Sequence, residues 1–138
     1  MEHVNSLTCQ ESADYLVLDA ATVRNLELVE SLSGDNKDTL LGVLNRTSTG
    51  MGARLLRQWL LRPCLDTTEM ESRLDAVGEL YGSVIRLNEV HESFQGMLDL
   101  ERLLSRIIVG TASPRDLAAL RASLSKLPPL DQALSTLT

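Results

Sequence analysis

Few residues in this sequence have the types and the spacing that catalysis or metal binding requires. The only histidines are His3 and His91, and His91-Glu92 lacks the second histidine of a zinc metalloprotease motif. The only cysteines, Cys9 and Cys64, have no further cysteine or histidine beside them, which excludes the usual zinc spacings. No serine lies in the Gly-x-Ser-x-Gly motif of a nucleophile elbow. The sequence therefore predicts no catalytic residue and no metal site, and we do not expect this chain to be an enzyme.

The segment Thr49-Gly50-Met51-Gly52 is the nearest approach to a phosphate-binding loop. Such a loop needs a lysine that reaches the β- and γ-phosphates, and neither Lys37 nor Lys126 is close to this segment. A glycine pair in front of a helix can hold an anion on its backbone amides, or it can be a turn that begins the helix. We favour the helix-initiating turn, and we predict no cofactor-binding residue in this chain.

Four arginines form the one charge feature that rises above the background. They lie in residues 39–65, a stretch without any acid, and are Arg46, Arg54, Arg57 and Arg62. The whole chain is acidic, with 13 Lys and Arg against 19 Asp and Glu and a net charge of −6, which disfavours independent binding to DNA phosphates. The arginines are candidates for contacts with a neighbouring acidic domain or with the DNA backbone. The alternative is a solvated helix face whose arginines pair with nearby acids, namely Glu69, Glu71 or Asp75.

The composition favours a single helical domain. The chain has 138 residues, of which 43% are hydrophobic but only 3% aromatic, so that its core must be built from aliphatic residues, most of them good helix formers. Its start lacks the basic and apolar regions of a signal peptide, and no apolar run is long enough to span a membrane. We therefore expect a cytoplasmic protein without a membrane partner, and reduced thiols.

Capping residues divide the chain into six or seven predicted helices. The predicted starts are Asp19, Asp38, Gly50, the Thr68–Glu71 capping box, Asp99 and Ser113-Pro114. Pro63, Gly110 and Pro128-Pro129 are predicted stops, and Gly82 is a candidate break in the helix that begins near Thr68. Residues 1–14 are polar and are predicted to be a linker or a chain edge, whereas residues 15–138 form one domain.

Apolar stripes at helical spacing predict which side chains form the core of this domain. The predicted core residues are Leu55, Trp59, Leu103, Leu104 and Leu120. The run Tyr15-Leu16-Val17-Leu18 is the only segment compatible with a short strand. The predicted fold class is therefore all-α, a multi-helix domain with long lever-like helices and at most one short N-terminal strand.

An ordered set of segments resembles the core region of the MutS family of DNA mismatch-repair proteins. The segments are residues 18–28 (LDAATVRNLEL), 39–63 (TLLGVLNRTSTGMGARLLRQWLLRP), 73–77 (RLDAV), 99–103 (DLERL) and 113–117 (SPRDL). The resemblance covers residues 15–130 and fits the mismatch-recognising branch. Two positions depart from the family pattern: Asn45 stands where an aspartate is expected, and Cys64 where an aliphatic residue is usual. A neutral amide at position 45 can still form a cap or a turn.

The resemblance implies that this chain is the first half of a helical core in a protein several times longer. In such proteins the core lies between a clamp that closes on mismatched DNA and an ATPase domain, so the expected partners are the connector, clamp and ATPase domains of a homodimeric parent. ATP and magnesium are implied for the parent and not for this chain. The implied function is a structural lever that couples nucleotide state to the clamp, and half a core is expected to leave an apolar face uncovered. The alternative is a stand-alone nucleic-acid-binding domain that uses the arginines of residues 46–62.

Overall fold

The structure, a computed structural model, describes residues 15–135 except for the side chain of Asn36. Residues 1–14, predicted to be a linker or chain edge, lie outside this range. The helices within it are α1 (Ala20–Asn25), α2 (Leu40–Leu44), α3 (Gly50–Leu61), α4 (Thr67–Tyr81), α5 (Val84–Phe94), α6 (Leu100–Ile108), α7 (Pro114–Leu124) and α8 (Leu127–Leu134), and a 3-10 turn spans Asn36–Asp38. The all-α prediction is confirmed for this part of the chain, which contains no strand.

The predicted N-terminal strand is reduced to a single bridge. Tyr15 forms an isolated antiparallel bridge with Cys64, and the Leu16 amide donates a hydrogen bond of 2.8 Å to the carbonyl oxygen of Pro63. These contacts hold the start of the described chain against the end of α3. They do not extend into a ladder, because Leu18 is followed at once by Asp19, the cap of α1.

Most helix starts lie where the capping residues predicted them. The side chains of Asp19, Asp99 and Ser113 accept hydrogen bonds from first-turn amides at 2.6, 3.1 and 3.3 Å, and Ser113 forms a full capping box with Asp116. Thr49 caps α3 through the Gly52 amide at 3.1 Å. The turn at Thr49-Gly50 is therefore the start of a helix, as favoured.

Two predicted caps are wrong by one or two residues. Thr39, not Asp38, caps α2, because Asp38 closes the preceding 3-10 turn while the Thr39 hydroxyl reaches the Gly42 amide at 2.9 Å. Asp66, not Thr68, caps α4, because its carboxylate already satisfies the Thr68 amide at 2.9 Å. In both cases a neighbouring oxygen reaches a first-turn amide that the predicted cap does not.

The ends of the helices also differ in part from the predictions. α4 ends before Gly82, at the candidate break, and its 15 residues span about 22 Å. Pro128 and Pro129 do not end the last segment but lie in the first turn of α8, where the missing amide hydrogens have no intrahelical partner. α1 ends at Asn25, and shortly after it Glu27 adopts a positive φ of 48° and turns the chain, so that Leu28 and Val29 become buried.

The described helices pack mainly as neighbouring pairs and bury few side chains. The principal pairs are α5 with α8, α6 with α7, α4 with α5, and α2 with α3. The buried hydrophobic side chains of residues 15–135 are Leu28, Val29, Val90, Met97 and Leu103, and Thr39 and Ser123 are the buried polar ones. Such a small core leaves many apolar side chains of the amphipathic helices without a partner.

The predicted core is correct for one residue of five and partly so for another. Leu103 is 8% exposed and buried as predicted, and Leu120 is half-buried. Leu55, Trp59 and Leu104 are 47%, 41% and 48% exposed, so their assignment to the core of this chain is wrong. Their stripes are amphipathic as predicted, but the described helices leave close to half of each of these side chains exposed.

Candidate interdomain contact surfaces

The exposed surface is much larger than that of a compact protein of this size. The chain exposes 10803 Å², whereas a compact monomer of 15.2 kDa exposes about 7100 Å². The residues outside the described range would add at most roughly 2700 Å² if they were as exposed as unfolded chain. Residues 15–135 therefore expose roughly 1600 Å² more than a compact protein of their length. An excess of this size is about what a standard protein–protein interface buries in total.

One part of this excess is an apolar stripe on α4. Leu74, Val77 and Tyr81 follow one another at spacings of three and four residues and are 68%, 63% and 88% exposed. Met70, one turn earlier, is also exposed. Alternating spacings of four and three are those of a helix whose apolar seam faces another helix. Within the described chain this stripe is uncovered.

A second exposed group surrounds Trp59 at the end of α3. The guanidinium of Arg73 lies over the indole ring at 3.9 Å from its centroid, which is a cation–π contact between α3 and α4. Glu69 forms an ion pair with Arg73 and accepts a hydrogen bond from the Cys64 thiol at 3.1 Å. That hydrogen bond raises the pKa of the Cys64 thiol, together with its partial burial. Trp59 is thus held in place while one face stays open to a partner.

Arg54 lies at the surface but forms ion pairs within the domain. Its guanidinium bonds both carboxylate oxygens of Asp99, at 2.7 and 2.9 Å, and also bonds Glu101. The alternative interpretation, in which the arginines pair with acids of the same domain, therefore holds for Arg54. The predicted partners were wrong, because the acids come from α6 and its cap and not from residues 69–75. Arg54 and Asp99 are 45 positions apart, so their contact could not be predicted from local residue spacing.

The Asp99 carboxylate of this ion pair also lies close to Gly50 at the start of α3. A Cβ atom added to Gly50 would lie 3.2 Å from Oδ2 of Asp99, so the protein's own carboxylate sits against the first turn of α3. Hydrogen bonds from Arg54 lower the pKa of Asp99 to about 2, and the Arg102 amide adds to this effect. A side chain at position 50 would therefore require the Asp99 carboxylate to move by a few tenths of an ångström.

The remaining three arginines of the predicted surface are exposed but lie in two different places. Arg57 and Arg62 line, with Arg54, a shallow depression of about 420 Å³ along the end of α3. Arg46 lies in the loop before α3 and lines a groove between α3 and α5. None of the ion pairs within residues 15–135 involves Arg46 or Arg57. The four arginines are therefore not one continuous patch.

Polar contacts fix the loops between these helices, and those of Ser123 and Arg106 were not predicted from the sequence. Ser123 on α7 is fully buried, and its hydroxyl accepts a hydrogen bond of 3.0 Å from the Leu98 amide. Asn45, the departure from the family pattern, accepts two hydrogen bonds from Thr47 and forms the predicted turn. Arg106 pairs with Asp116 at 2.8 Å and joins α6 to α7. These contacts give the domain a defined shape despite its small core.

The described residues contain neither a group of side chains that could bind a metal ion nor a helix that could span a membrane. No three His, Cys, Asp or Glu side chains of residues 15–135 lie close enough to hold a metal ion. No helix in this range is long and apolar enough to cross a bilayer. His91 contacts Ser48 at 3.3 Å and Gln95 at 3.0 Å, which ties the loop before α3 to α5.

Comparison with known proteins identifies the family. The family profile described as MutS domain III matches residues 21–138. Three bacterial proteins named DNA mismatch repair protein MutS match nearly the whole chain: that of Solibacter usitatus is 48% identical over 99% of it, that of Halothermothrix orenii 44% over 99%, and that of Desulforamulus reducens 42% over 100%. The chain spans only about a sixth of these relatives, 15–16% of their length. These matches show that the chain belongs to the MutS family, as its domain III.

Proposed function

We propose that this domain is the structural core and lever of a DNA mismatch-repair ATPase, which couples a nucleotide-binding domain to a clamp on mismatched DNA. The observation that carries the proposal is the set of exposed apolar side chains on helices most of whose starts are capped. A lever needs a rigid body and faces on which other domains rest. The polar contacts of α3, α6 and α7 make the body rigid. The exposed apolar side chains of α3, α4 and α6 provide the faces for other domains.

The stiffness required of a lever has an identifiable source in the ion pairs between helices. The Arg54–Asp99 pair joins α3 to the cap of α6, and the Arg106–Asp116 pair joins α6 to the cap of α7. Asp99 is the N-cap of α6 and Asp116 is the third residue of the α7 capping box, and each also binds an arginine of an earlier helix. A displacement of α3 would therefore be passed to α6 and then to α7 through contacts at the helix ends.

ATP and magnesium belong, in this proposal, to other parts of the longer protein. The residues present do not fit a nucleotide site, because the Gly50–Gly52 turn lacks a phosphate-binding lysine and Asp99 occupies its first turn. Of the two lysines, Lys126 donates a hydrogen bond to the Gln95 carbonyl oxygen. We derive no catalytic step from this chain.

A pair of leucine substitutions tests the lever in a full-length mismatch-repair protein that contains this domain. Leu74→Ser removes an exposed anchor of the α4 stripe, and Leu32→Ser removes an equally exposed leucine in the loop after α1. Neither change is expected to alter the unfolding free energy of the 138-residue chain by more than about 0.5 kcal/mol, because both side chains are solvated. In the full-length protein Leu74→Ser is expected to lower DNA-stimulated ATP hydrolysis and clamp closure several-fold, while Leu32→Ser leaves both unchanged.

Equal behaviour of the two variants in the full-length protein would refute the proposed coupling through α4. Trp59→Ala extends the test to α3, because the indole is held by Arg73 and its exposed face is available to a neighbour. Clamp closure and ATP turnover that survive both Trp59→Ala and Leu74→Ser in a folded protein would show that these stripes do not transmit the nucleotide state.

A second, smaller role rests on Arg57 and Arg62. The depression that they line with Arg54 suits an acidic side chain of a neighbouring domain or a phosphate of the DNA backbone. A salt titration of the chain against duplex DNA separates the two. Nanomolar binding with a steep salt dependence would favour the stand-alone nucleic-acid-binding function. We expect weak or no binding, since the net charge is −6.

A further inference from the structure

We draw no further inference here: the strongest candidate, the exposed apolar face of α4 formed by Leu74, Val77 and Tyr81, is an unpartnered helix face, and nothing in the structure shows what covers it.

Discussion

The buried hydroxyl of Ser123 provides the sharpest stability test of this fold. Its oxygen accepts the amide hydrogen of Leu98 at 3.0 Å and thereby holds the loop between α5 and α6 against α7. Ser123→Ala removes the acceptor but fills almost the same space, so the part-buried Leu98 amide loses its hydrogen-bond partner. An unsatisfied buried donor costs about 1–3 kcal/mol, and we expect the unfolding free energy to fall by about 2 kcal/mol.

Ser125 on the same helical turn is the matched control for this substitution. Its hydroxyl is exposed, and its hydrogen bonds within the described residues stay in its own helix, where it donates to the carbonyl oxygens of Arg121 at 2.7 Å and Ala122 at 3.4 Å. Ser125→Ala should therefore change the unfolding free energy by less than about 0.5 kcal/mol.

Urea unfolding followed by circular dichroism, together with amide hydrogen exchange, measures both effects. For a chain of this length 2 kcal/mol corresponds to a fall in Tm of about 8 °C. The Leu98 amide should exchange faster in Ser123→Ala than in the wild type and keep its protection in Ser125→Ala. If the two alanine variants were equally stable, or if the Leu98 amide kept its protection in both, the hydrogen bond between Ser123 and Leu98 would not contribute to the free energy of unfolding.

Three further predictions concern the helix ends, the core and the ion pair. Gly110→Ala should lower the unfolding free energy by about 1 kcal/mol because its φ is +76°, whereas Gly78→Ala, in the interior of α4 with open space around it, should raise it by about 0.5–1 kcal/mol, both measured by urea unfolding. Leu103→Ala should cost about 2–4 kcal/mol and Leu104→Ala less than about 1, and equal costs would contradict the observed burial. The pKa of Asp99 is lowered to about 2, so its ion pair contributes fully above pH 4 and is lost as the pH falls towards 2. Asp99→Asn should keep the helix cap but show a smaller loss of stability over that range in acid titrations, and an unchanged acid profile would rule out this contribution.

Local signals explain why the class and most helix starts could be predicted from the sequence. The hydrogen bonds that begin a helix join residues two or three positions apart, so that Asp19, Asp99 and the Ser113-Pro114 start are visible in the order of residues. The two misplaced caps fell where two oxygen-bearing side chains compete within three positions. Only the geometry of the turn decides which of them reaches the amide. The resemblance to the MutS core likewise rested on short segments, and the family matches confirmed it.

Which apolar stripes are buried was decided by tertiary structure alone. Leu103 and Leu104 are adjacent on one amphipathic helix, yet one is buried and the other is half exposed, because α7 packs against only one side of α6. Periodicity shows that a stripe needs a partner, but it does not say whether the chain itself supplies one. The sequence therefore determined the helices, their starts and the family. The packing of the helices alone decided which apolar faces stay open and which residues Arg54 and Ser123 contact. Those contacts join residues 45 and 25 positions apart, and contacts at such separations leave no periodic trace in the order of residues.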